Sequence, residues 1–89
     1  MEAKQWTVQI YITEEGDQTR ARAVLSTRDK TQLEGVGHAR RNPIDRPVPE
    51  IGDELAAARA LAKLADSLFS ASSQDITQLA GSAGPATPR

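Results

Sequence analysis

The longest periodic segment of the chain runs from Val48 to Ser72 and limits what the rest can fold into. Its larger apolar residues fall at Val48, Ile51, Leu55, Leu61, Leu64, Leu68 and Phe69, with Ala58, Ala62 and Ala65 in the same stripe. Spacings of three and four residues place an apolar face along a helix of about 25 residues. Arg59, Lys63, Asp66, Ser67 and Ser70 occupy the other face. Such a helix needs an apolar surface to lie on, and the segments before it read as a sheet.

Residues 5–14 alternate, with Trp6, Val8, Ile10 and Ile12 on one face and Thr7, Gln9, Tyr11 and Thr13 on the other. Period two with β-branched enrichment predicts a strand with one buried face. Gly16, in Glu15-Gly16-Asp17-Gln18, suits a turn because it adopts a positive φ without strain. Residues 19–27 alternate again, setting Ala21, Ala23 and Leu25 with the buried face and Arg20, Arg22, Val24 and Ser26 with the open one. Arg28 to Gln32 reads as a charged loop. Residues 33–40 read as a third strand whose inward row is Leu33, Gly35, Gly37 and Ala39, small enough for a helix to approach closely. Pro43 and Pro47 pin the connection, and Pro49 suits a first helical turn. Glu50, Asp53 and Glu54 sit near the positive end of the helix dipole. After Ser72 the pattern decays, with at most a short turn near Ile76, and residues 81–89 read as a disordered tail. The expected organisation is a flexible stretch 1–4, one domain over 5–80 and the tail. The fold class is α+β: a three-stranded antiparallel sheet in β-β-β-α order, with one long C-terminal helix on one face.

Composition narrows function. With 89 residues and 3% aromatics, one small domain has few large groups for a core, which favours a homodimer. The absence of cysteine excludes disulfides and thiolate metal sites. No apolar signal core and no run of 18 apolar residues occurs, so a cytoplasmic protein without membrane contact is expected. His38 is the only histidine and excludes a histidine metal cluster. Gly35-Val36-Gly37 lacks the third glycine of a dinucleotide loop and opens no helix. No nucleophile–base pair can be assembled, so catalysis and a small-molecule cofactor are not expected.

The open sheet face is the most informative patch. Tyr11, Val24 and Val36 hold its middle, Arg20, Arg22, His38 and Arg40 its edges, and Arg41 follows at the exit of the third strand. Three readings are open. It is an ordinary solvated face, a dimer surface with an arginine rim, or a phosphate-contacting surface on which Tyr11 stacks a base. Residues 1–46 carry eight Lys/Arg against seven Asp/Glu, which weakens the last.

The run GVGHARRNPIDRPVPEIGDELAAARALAKLADSLF, preceded by RARAVL, resembles the small actinobacterial domains of unknown function classed as dsRBD-like, over roughly residues 5–70. The resemblance implies a β-β-β-α domain, cytoplasmic and without an agreed activity, linked to dormancy and stress and compared in fold with ribosome hibernation factors. It leaves ribosome or RNA contact open as a partner class. Double-stranded RNA-binding domains set a lysine cluster at the start of the C-terminal helix. Pro49 to Glu54 instead supplies three acids and no base, and only about four residues precede the first strand. That binding mode is disfavoured here.

Overall fold

A computed structural model describes residues 1–28, 32–44 and 46–82, with the side chains of residues 80–82 left aside. Strands β1 (Thr7–Glu15), β2 (Gln18–Ser26) and β3 (Gln32–Arg40) form an antiparallel sheet in the order β1-β2-β3, followed by helix α1 (Pro49–Ser82). The fold is α+β, as the alternation and the helical stripe predict. Parts of the expected charged loop and of the tail, residues 29–31 and 83–89, lie outside the described residues.

The hairpin register follows from Gly16, which takes φ +62° in the two-residue connection. Pairing of Glu15 with Gln18 then sets Ile12 beside Ala21, Ile10 beside Ala23 and Val8 beside Leu25. On the far side Ala21 pairs with Gly37, Ala23 with Gly35 and Leu25 with Leu33. The inner face therefore consists of transverse rows such as Ile10–Ala23–Gly35, and it is the face that alternation predicts.

Helix α1 lies over β2 and β3 and barely reaches β1. The reason is steric. A Cβ on Gly35 would stand 2.3 Å from the backbone nitrogen of Leu64, and one on Gly37 would stand 2.3 Å from that of Ala60. Bare glycines let the helix backbone settle onto β3, and only small side chains fit in the seam. The core is accordingly Ala21, Ala23, Leu25, Ala39, Ala56, Ala60 and Leu64, with Leu33 and Leu68 packed at its border.

This corrects the expected stripe. Leu64 and Leu68 face the sheet, but Val48, Ile51, Leu55, Leu61 and Phe69 are exposed, as are Ala58, Ala62 and Ala65. The buried ridge is Ala56–Ala60–Leu64, one turn per residue, because the glycines of β3 select the narrowest side of the helix. Trp6, Val8, Ile10 and Ile12 are 38–55% exposed, and among the described residues no helix lies above the inner face of β1.

The helix is also longer than its stripe predicts, continuing ten residues past Ser72 and through the first two residues of the expected tail. Its 34 residues span about 51 Å, whereas the nine-residue strands span about 30 Å. Beyond Leu68 it projects past the sheet. The radius of gyration is 18.1 Å, against about 12 Å for a compact domain of this length.

Candidate functional site

The outer sheet face assembles seven of the eight residues singled out in the sequence. Register places Tyr11, Arg22 and Val36 in one row, Arg20 beside His38 in the next, and Val24 between Gln9 and Glu34. Arg40 closes the face opposite Gln18. Arg41 lies outside it. Its backbone N–H donates to the Asp17 carbonyl, and its Nη1 donates to the Asn42 and Pro43 carbonyls at 3.3 and 3.4 Å.

Much of this face is engaged internally. Arg22 Nη1 donates to Glu34 Oε1 at 3.1 Å, and its guanidinium carbon sits 5.0 Å from the centre of the Tyr11 ring. That cation–π contact covers one face of a ring that is otherwise half exposed. The Tyr11 hydroxyl donates to Gln9 Oε1 at 2.7 Å. Arg40 Nε lies 3.9 Å from Asp17 Oδ2. Arg20 and His38 remain exposed.

The second surface is the trough between β1 and the flank of α1. Val8, Ile10 and Ile12 form its floor and Leu61 its wall, with Trp6 at one end. Hydrophobic periodicity alone assigns these residues to the core. The signal that separates them is size: Gly52, Ala56 and Ala60 recur every four residues and match the small row of β3, leaving the larger residues unmatched.

A third feature is a cleft of about 500 Å³ where the hairpin turn meets the helix start, lined by Asp17, Arg40, Arg46, Ile51 and Leu55 among others. At its edge the Glu14 carboxyl is held above its ordinary value, first by a hydrogen bond to Asp53 and then by repulsion from the same carboxylate. Asp53 Oδ1 itself is shut from solvent with no hydrogen-bond partner among the described residues. Among the described residues no group of three potential metal ligands occurs, and no helix is long and apolar enough to cross a membrane.

Comparison with known proteins places these surfaces in a family. The Rv2632c-like family model matches residues 4–84. The chain belongs to the Rv2632c-like family. It is 55% identical over 71 residues to the uncharacterized protein Mb1767 of Mycobacterium bovis, covering 80% of this chain and 74% of that protein. It is 51% identical over 69 residues to the uncharacterized protein Rv2632c of Mycobacterium tuberculosis, covering 78% and 73%. The crystal structure of Rv2632c superposes with a TM-score of 0.79 at 43% identity, covering 99% of this chain and 98% of that one. A match of that extent includes the part of α1 beyond the sheet.

Proposed function

We propose that this Rv2632c-like chain is a non-enzymatic, cytoplasmic interaction module that works as a homodimer. The observation carrying this reading is an inversion of the usual sorting of side chains. Alanines fill the core, whereas Trp6, Val8, Ile10, Ile12, Phe69 and Ile76 are exposed. A core of that size stabilises an isolated domain weakly, and a second copy is the economical way to bury the rest. With the dimer holding the inner side, the outer sheet face is left for a partner. The resemblance to dormancy-associated domains suggests stress physiology, with the ribosome as that partner.

Sedimentation equilibrium over a range of concentrations tests the dimer, and co-sedimentation with ribosomes at low and moderate salt tests the partner. A monomer at micromolar concentration and above refutes the first. Failure to co-sediment at any salt refutes the second. Direct nucleic-acid binding is the competing reading, and the exposed Arg20 and His38 beside Arg22 and Arg40 favour it. Its affinity would fall steeply with salt through counterion release and would weaken in Arg20→Ala and Arg40→Ala. The pairing of Arg22 with Glu34 and the guanidinium set over one face of the Tyr11 ring count against it.

A further inference from the structure

Among the described residues two apolar surfaces of one chain are uncovered, and each has the shape the other needs. The first is the inner face of β1, an apolar strip with no helix over it. The second is the end of α1 beyond Leu68, a helix with no sheet beneath it, bearing Phe69, Ile76 and Leu79 at 65–74% exposure. We propose that the projecting end of α1 of one copy lies in the β1 trough of a second copy, reciprocally, about a two-fold axis. This rests on the homodimer reading and names its surfaces.

The lengths agree. Residues 69–82 span about 21 Å of helix, and the strip from Trp6 to Ile12 spans about 20 Å of strand. The directions agree as well. Gly35 and Gly37 fix the path of α1, from Ala56 against Gly37 to Leu64 against Gly35. The helix thus runs antiparallel to β3 and to β1, and leaves the sheet at the Trp6 end of the trough. Rotating a copy by half a turn about an axis normal to the sheet exchanges the position over β3 and β2 for the one over β1. The end of one helix then extends straight along the other's empty strip, antiparallel to the other's helix.

The register can be assigned. Leu61, Ala65, Leu68, Ser72, Ile76 and Leu79 follow one flank of α1 at steps of three and four residues, the spacing of a helix-pairing seam. Antiparallel pairing of this flank sets Leu79 of each copy against Leu61 of the other, with the axis at Ser70. Leu61 lies above the row containing Ile10, because Gly35 in that row touches Ala60 and Leu64. Leu79 of one copy therefore arrives over Ile10 of the other, and Trp6 comes close to the axis.

The surfaces also fit a second copy rather than another occupant. The strip and the projecting helix are both apolar and exposed, the composition that the buried centre of an interface needs. Between Leu64 and Ser82 there is no lysine or arginine, so this side offers nothing to a phosphate backbone. An isologous dimer satisfies both unpartnered features at once, which a single foreign helix or strand cannot do.

The absence of cysteine gives a direct test. In Ile10→Cys/Leu79→Cys the two thiols of one chain stand more than about 20 Å apart along the helix, far beyond the roughly 7 Å that a disulfide tolerates between Cα atoms. Mild oxidation is expected to give a covalent dimer, at about tenfold the yield of Tyr11→Cys/Leu79→Cys, in which the first thiol points to the other sheet face. The lone Trp6 of the unaltered chain gives a second readout: its emission shifts to the blue across the monomer–dimer transition. A dimer in which the Ile10→Cys/Leu79→Cys variant forms no disulfide between copies, or whose Trp6 emission stays that of hydrated indole, overturns the proposed docking and leaves the homodimer standing. Pairing through the β1 edges would behave that way. A chain that remains monomeric overturns both.

Discussion

Replacing Gly35 by alanine tests the packing logic most directly. The new Cβ would stand 2.3 Å from Leu64 N, 2.4 Å from the Ala60 carbonyl oxygen and 2.8 Å from the Lys63 carbonyl carbon. All three are helix backbone atoms, which cannot rotate aside as a side chain can. Ordinary contact begins at 3.4 Å, so α1 must rise by about 1 Å. A gap of that size forfeits roughly a quarter to a half of the dispersion energy of the contacts it opens. Those include the seats of Ala56 and Ala60. Overpacking of this kind costs about 1–3 kcal/mol, and the stiffer unfolded chain returns roughly 0.4–1 kcal/mol. The net expectation is a loss of about 2 kcal/mol, a large share of the stability of so small a domain. Urea unfolding followed by far-ultraviolet circular dichroism measures it, at one fixed protein concentration so that association does not enter. Gly37→Ala should lose a similar amount. The double variant should lose less than the two losses added, since one displacement of the helix relieves both clashes. A Gly35→Ala midpoint at or above that of the parent, with unchanged slope, would refute the seam.

Leu64→Ala should cost about 2–4 kcal/mol in the same unfolding assay, because Leu64 is the one large helix side chain that is 3% exposed in the core. Glu14→Gln should raise the thermal midpoint at pH 7. The fold raises the Glu14 pKa, so the stability this group lends is full below the ordinary 4.5 and is lost as pH climbs through the raised value. The gap between variant and parent should therefore close in scans below about pH 4. Arg22→Ala should change unfolding stability by no more than about 1 kcal/mol, since its pair with Glu34 is solvent-exposed on both sides.

Alternation along the strands carries nearly all of the sheet. It sets the faces of β1 and β2 and groups Ala21, Ala23 and Leu25 inward and Tyr11, Arg22 and Val36 outward. The row these three share comes from the register, which puts Arg22, on the central strand, in the middle of the face rather than at its edge. Arg41 breaks from that group because the chain leaves the sheet there, tethered to Asp17. The helix is harder to read. Hydrophobicity ranks Leu55, Leu61 and Phe69 as core, but burial here is decided by how near two backbones come. Gly35 and Gly37 bring them so near that only alanine-sized residues fit between, and apolar strength along α1 says nothing about that. The helix beyond Ser72 is equally hidden, since Gln74, Asp75 and Gln78 interrupt the stripe without interrupting the backbone. Alternation puts Trp6, Val8, Ile10 and Ile12 on the right face, yet a face is covered only as far as the helix is wide.

A seam of such uniform, small residues has little power to say where along it the helix should stop. Two strand residues advance about 6.6 Å and four helix residues about 6 Å, so glycines two apart and alanines four apart form nearly matching ladders. Sliding α1 by one turn would bring Gly52, Ala56 and Ala60 over the same glycines, with smooth surface meeting smooth surface as before. The features that break this translational symmetry are directional. Arg59 Nη1 donates to the His38 carbonyl at 2.7 Å and Ser67 Oγ to the Glu34 carbonyl at 3.3 Å, and Leu64 fills one position only. These few groups work as detents on a rail: the seam holds the helix down, and the detents fix how far its free end extends.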